Sequence, residues 1–156
     1  MNNLYLTNLD TNYSIDKIFE EMTSIFNRYG RLLVLLDKTS ESNSFDELLK
    51  HFEEENIIYL PLALGNKPKG TNLFFVEINK KEILEKVGKD ISEKISMNFE
   101  IENSTYLVHG FGASLLENNL INERFKKSLV LTDASSKFLF RWYDPRVLTY
   151  LDQIFT

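Results

Sequence analysis

One short segment, RLLVLLD at residues 31–37, constrains the fold of this chain more than any other. Five consecutive apolar residues followed by an aspartate are typical of a strand that is buried on both faces, because a strand with one wet face alternates apolar and polar residues. The apolar run is far too short to cross a bilayer, so we expect no membrane insertion. The segment therefore predicts a strand inside a covered sheet.

Amphipathic helices are predicted before and after this strand. Residues 15–29 space their apolar side chains three and four positions apart, which places them on one helical face between the suitable caps Ser14 and Gly30. A short helix near Ser44 follows the strand. Strand-like and helical segments then alternate, with strands at 56–62, 72–78 and 105–111 and helices at 79–95 and 114–125. A break at Gly88 is an alternative, since glycine costs about 1 kcal/mol relative to alanine inside a helix.

The C-terminal part of the chain predicts a hairpin followed by a helix. Residues 128–133 and 137–143 have strand character and are joined by a short turn, and the apolar residues after Pro145 are spaced for one helical face. Strands that alternate with amphipathic helices predict an α/β fold. We expect a mixed β-sheet flanked by amphipathic helices, in a single layered domain over residues 1–156.

Composition narrows the classes of function. The net charge of −5 and the isoelectric point near 5.1 argue against nucleic acid as a partner, since phosphate binding needs a basic surface. The chain has no cysteine, which removes disulfides, thiolate zinc sites and cysteine nucleophiles and fits a reducing compartment. The N-terminal residues lack a signal-peptide pattern. We therefore expect a cytoplasmic protein.

Candidate catalytic residues are few. His109 ends a predicted strand beside Gly110, where a general base could lie, but a hydrolase also needs a nucleophile and an orienting acid. His51 lies among glutamates on a predicted solvent-facing helix edge. The GFGAS segment (110–114) matches neither a nucleophile elbow nor a dinucleotide fingerprint, and suits a tight strand-to-helix turn with Ser114 as helix cap. With no zinc pattern and no Walker A motif, we expect no metal, no cofactor and no catalytic residue.

The segment FLFRWYDPRVL (138–148) concentrates aromatic and charged residues at a predicted strand-to-helix junction. Asp144 suits a helix N-cap and Pro145 the first helical turn, so the Asp-Pro step has a local structural explanation. Arg141 interrupts the most aromatic strand, and a buried guanidinium needs a carboxylate or several carbonyl partners. We therefore predict an internal ion pair between Arg141 and a carboxylate, with three candidate partners: Asp37, Asp133 and Asp144.

The same segment resembles the hallmark of a known family. FRWYDPRVL is similar to the Phe-Arg-aromatic-Tyr-Asp-Pro-Arg segment of the type VI secretion effector adaptors, the Tap-type chaperones. Earlier segments resemble that family in the same order: RLLVLLDKT, IIYLPLALG, GTNLFFVEI and YLVHGFGASLLENNLINERFKKSLVL. The resemblance covers residues 30–156. It implies one adaptor-type α/β domain, or the N-terminal lobe of a longer architecture, since many family members continue past the final helix.

The resemblance implies a binding protein and not an enzyme. Members of this family hold a toxic effector, often by its N-terminal region, and help to load it onto a VgrG-type spike in the bacterial cytoplasm. Within the hallmark, Trp142, Tyr143 and Arg146 are the candidate partner contacts, because aromatic and arginine side chains are enriched at protein interfaces. Two alternatives stay open: a small α/β hydrolase that uses His109, and an immunity or inhibitor protein of similar size and acidity.

Overall fold

The computed structural model of the chain describes residues 14–37, 43–60, 73–97 and 108–139. These residues form four helices, a single turn of 3₁₀ helix at Glu54–Asn56, and six strands. The helices are α1 (Ile15–Tyr29), α2 (Asn43–Leu49), α3 (Lys81–Met97) and α4 (Asn118–Leu129). The strands are β1 (Leu32–Asp37), β2 (Ile57–Tyr59), β3 (Leu73–Ile78), β4 (Val108–Gly112), β5 (Val130–Thr132) and β6 (Lys137–Leu139).

Four of the strands form one sheet, in the order β2-β3-β1-β4. The predicted α/β fold, with helices flanking a sheet, is confirmed. The pairing differs from the expected mixture, because every described pair in this sheet is antiparallel. β3 and β4 both run antiparallel to β1, so they are parallel to each other. In the sequence, α3 lies between β3 and β4. In the sheet, β1 lies between these two strands and pairs with each of them.

The sheet is covered on both faces. On one face, the alternate residues Leu32, Val34 and Leu36 of β1 pack with apolar side chains from α1 and α3. On the other face, Leu33 and Leu35 pack with side chains from β3 and α4. All six residues of β1 are buried, which confirms the prediction from the continuous apolar run. The described residues therefore form three layers, with β1 in the middle.

Local signals at α1 are also confirmed. The hydroxyl of Ser14 accepts a hydrogen bond from the backbone N–H of Lys17, and the helix ends at Gly30. Gly30 has φ of 70°, a left-handed conformation that favours glycine because it has no Cβ. Its N–H donates to the carbonyl of Phe26 at 2.7 Å. The caps therefore fix where α1 stops and β1 begins.

The alternative of a break at Gly88 is not observed, since α3 continues through this position. Gly88 is buried where α3 packs on α1, and a Cβ added there would lie 2.4 Å from Cε2 of Phe19. The next turn of α3 places the buried Ser92 at the same seam, 3.5 Å from the sulfur of Met22. The small residues allow the two helices to approach closely, which explains a glycine inside a helix.

The predicted hairpin is present at the C-terminal end of the described residues. β5 and β6 pair antiparallel, and the backbone groups of Asp133 and Ser136 bond to each other across the turn between them. The rest of the hallmark segment lies outside the described residues. This includes all of its predicted structural and partner-contact residues: Arg141, Trp142, Tyr143, Asp144, Pro145 and Arg146.

Candidate functional site

Two groups of polar side chains lie on the sheet face beneath α4, one at each end of β1. Side chains alternate along a strand, so Arg31 and Asp37 share a face with the two buried leucines between them. Arg31 immediately precedes β1, and Asp37 is its last residue. The apolar centre of this face is therefore bounded by a charged side chain at either end.

At one end, Asp37 lies against His109. Nε2 of the imidazole is 3.3 Å from Oδ2 of the carboxylate, and the two side chains are 0% and 4% exposed. His109 is the extra residue of a β-bulge, because β1 pairs with Val108 and Gly110 on either side of it. A bulge changes the direction of a side chain on its strand. The bulge lies where the imidazole of His109 contacts the carboxylate of Asp37, at the end of β1.

This pair supplies two members of an acid–base constellation. A carboxylate beside one imidazole nitrogen orients the ring and favours the tautomer that donates to it, as in hydrolytic triads. The orienting acid that the hydrolase alternative required is therefore present next to His109. A general base must also come within hydrogen-bond reach of its substrate. The His109 side chain has no exposed surface, so in this conformation the pair is placed to connect β1 with β4.

At the other end, Arg31 forms the centre of a network that we call the Arg31 cluster. Nη1 donates to the carbonyls of Ser114 and Leu116, at 3.3 and 2.9 Å. Nη2 donates to Oδ1 of Asn118 at 2.5 Å and lies 3.0 Å from Oε1 of Glu77. Asn118 closes the network by donating from Nδ2 to Oε2 of Glu77 at 2.8 Å. One guanidinium thus connects β1, β3 and the turn before α4.

The Arg31 cluster is largely removed from water. The side chains of Arg31 and Glu77 are 18% and 14% exposed. A desolvated ion pair is favourable only when its remaining polar atoms are also hydrogen-bonded, and the carbonyls and the amide of Asn118 meet much of that need. We therefore assign the cluster an architectural role: it fixes the turn before α4 on the sheet.

The turn after GFGAS differs from the prediction. Ser114 was expected to cap the following helix, but α4 begins at Asn118, and the first helical carbonyl is that of Glu117, which accepts from Ile121 at 3.1 Å. The Ser114 hydroxyl instead accepts the N–H of Leu116, which tightens the turn itself. The helix starts later because Arg31 holds the carbonyls of Ser114 and Leu116. Between them, the side chain of Leu115 is 86% exposed.

The structure brings together two residues that the sequence had singled out for different reasons. Asp37 was a candidate partner of Arg141, and His109 a candidate base; they lie in contact with each other. Asp133 is exposed, and its carboxylate accepts the N–H of Ala134 in the hairpin turn. His51 is exposed, as predicted, beside a depression of about 300 Å³ between α2 and α3. The predicted Arg141 ion pair stays a prediction.

The sequence analysis did not predict the Arg31 cluster. Two residues could have indicated it, because Arg31 flanks an apolar strand and Glu77 is the one charged residue within LFFVEI. A charge inside a buried strand requires a partner. Sequence alone did not indicate which opposite charge would be that partner, because the two residues belong to strands whose pairing depends on the sheet order.

Comparisons with known proteins give no further assignment. No family model, no curated protein and no solved structure matches this chain. Among the described residues, no three His, Cys, Asp or Glu side chains lie close enough together to hold a metal ion. None of the described helices combines the length and apolarity needed to cross a membrane. The resemblance to the effector adaptors therefore stays a prediction.

Proposed function

We propose that this chain is an effector adaptor of a type VI secretion system, which binds a toxic effector and helps to load it onto a VgrG-type spike in the bacterial cytoplasm. The observation that carries the proposal is the ordered resemblance over residues 30–156, which ends in FRWYDPRVL. In this proposal the protein acts by binding two proteins. It catalyses no reaction and needs no cofactor.

The arrangement of the described polar residues is compatible with a binding protein. The polar atoms of the Arg31 cluster and of the Asp37–His109 pair contact other groups within the protein. Each connects separate strands, so each has a sufficient role in maintaining the fold. On the turn before α4, in contrast, Leu115 is exposed to solvent.

The hydrolase alternative has one observation in its favour, the acid–base pair of Asp37 and His109 at 3.3 Å. Hydrolysis through this pair requires a nucleophile and a substrate to reach an imidazole that is completely buried. The adaptor proposal requires no such rearrangement. We therefore prefer it over the enzyme.

Co-purification tests the adaptor proposal directly. The chain is expressed with the products of the neighbouring effector and spike genes, and light scattering during gel filtration measures the composition of the complexes. We expect a stoichiometric complex with the effector, and a non-cognate effector from another secretion cluster serves as the control. Binding to neither the effector nor the spike would refute the proposal.

An activity assay separates delivery from immunity. The toxic activity of the purified effector is measured with and without an excess of this chain. An adaptor that holds the effector outside its active site leaves that activity unchanged, whereas an immunity protein abolishes it. Complete inhibition would therefore overturn the adaptor proposal in favour of the inhibitor, even if the complex were stoichiometric.

A further inference from the structure

The helices on the two faces of the sheet are attached to very different degrees. On the face covered by α1 and α3, five apolar side chains of these helices are 3% exposed or less: Ile18, Met22, Leu84, Val87 and Ile91. On the other face, Ile121 is the one buried side chain among those of α4 that the structure describes, and it is 9% exposed. The apolar attachment of α4 is therefore smaller than that of the opposite layer.

Three apolar side chains connect α4 and its preceding turn to the sheet. Ile121 and Phe125 lie one helical turn apart and pack on the sheet together with Leu116 from the turn. The ring of Phe125 meets that of Phe75 edge-on, with the two centroids 4.9 Å apart. Phe125 and Leu116 keep part of their surface in water, so separating α4 from the sheet uncovers less apolar area than separating a fully buried helix.

Polar bonds supply a second part of the attachment, and several of them share one side chain. Arg31 holds two carbonyls of the turn and the side-chain oxygen of Asn118. Asn118 also donates to Glu77 on β3 at 2.8 Å. One turn later, Nδ2 of Asn122 donates to the carbonyl of Tyr59 on β2 at 3.1 Å. Removing Arg31 therefore releases the N-terminal end of α4 from the sheet.

We propose that α4 is a releasable cover of the sheet, which opens as a unit while α1, α3 and β1 stay folded, and that Arg31 holds this cover closed. Proteins open locally in cooperative units, and a unit with few buried apolar contacts opens at a lower free energy than the core. Within the described residues, the apolar clusters on the two faces have no buried side chain in common. Opening removes α4 from the sheet face of Leu33, Leu35 and Phe75 and leaves the opposite cluster intact.

Native-state hydrogen exchange of the full chain, measured by mass spectrometry at low urea, tests this opening. A factor of ten in protection corresponds to about 1.4 kcal/mol of opening free energy. In the wild type, we expect the amides of α4 to be protected at least about 10-fold less than those of α1 and α3. Equal protection of the three helices would overturn the proposal, because α4 would then open only when the whole chain unfolds.

Two matched variants, Ile91→Val and Ile121→Val, separate local from global opening. Each removes one methylene group, from the α3 side and from the α4 side of the sheet respectively. Ile91→Val should lower the protection of α1 and α3 by about 5-fold and leave that of α4 unchanged, since the contacts of Ile91 persist when α4 opens. Ile121→Val should lower the protection of α4. A loss in α4 equal to that in α3 for Ile91→Val would overturn the releasable cover.

Arg31→Met tests the role of the guanidinium. It should lower the protection of α4 by about 30-fold or more, because a desolvated ion pair and the bonds to the turn are lost. If this variant does not fold, Asn118→Ala removes one member of the Arg31 cluster and should lower the protection of α4 by about 5-fold. Unchanged protection of α4 in these variants would overturn the role of Arg31. The experiment uses the chain alone, so its outcome is independent of the adaptor function.

Discussion

Replacing Arg31 by methionine removes a side chain that connects β1, β3 and the turn before α4. Methionine keeps much of the apolar stem but has no donors. Glu77 would then stay at 14% exposure without its cation, and two carbonyls and the amide of Asn118 would each lose a donor. The variant therefore tests how much the Arg31 cluster contributes to the free energy of unfolding.

The magnitude follows from the burial of the pair. Breaking a fully buried ion pair costs about 3–5 kcal/mol, because the remaining charge is left without compensation. Both side chains retain some exposure, 18% and 14%, so water can partly solvate Glu77. We therefore expect a smaller loss than for a fully buried pair, with the free energy of unfolding falling by about 2–4 kcal/mol. For a chain of this size, each kcal/mol lowers Tm by about 2–4 °C.

Urea unfolding followed by circular dichroism measures this loss, and Arg28→Met is the matched control. Arg28 is exposed and lies over the ring of Tyr29, so its replacement should change stability by less than about 0.5 kcal/mol. The double variant Arg31→Met/Glu77→Met should recover much of the loss, since no charge remains unpaired. A change below about 1 kcal/mol in Arg31→Met, or no recovery in the double variant, would refute the reasoning.

Two further predictions concern the other packed sites. Gly88→Ala should lower Tm although alanine is the better helix former, because overpacking against Phe19 costs about 1–3 kcal/mol and the gain in helix propensity is about 1 kcal/mol. The second substitution Phe19→Leu should make room for the added methyl group and restore part of the loss. A higher Tm in Gly88→Ala, or no restoration in the double variant, would contradict this account of the packing. Asp37→Ala should lower the free energy of unfolding by about 1.5–3 kcal/mol, because it removes the buried hydrogen-bonding contact with His109. Asp133→Ala, at an exposed position, should cost at most about 1 kcal/mol. Equal losses for the two aspartates would refute the importance of that contact.

Several elements of this fold could be predicted because their signals are local. The limits of α1 follow from its apolar spacing and from Ser14 and Gly30, and each of these features acts within a few residues. The burial of β1 on both faces follows from its continuous apolar run. The start of α4 could not be predicted in the same way. Ser114 has the right spacing for a cap, but a guanidinium from before β1 holds the turn in another conformation.

Within the described residues, the sequence by itself therefore determined the order of the helices and strands, and that β1 must be covered on both sides. Tertiary structure alone decided that β1 lies between β3 and β4, that Asp37 meets His109, and that Arg31 meets Glu77. These contacts join residues far apart in the chain, and they depend on strand order and register. Periodicity and capping act over a few residues, so they cannot select among the carboxylates that a distant arginine or histidine reaches.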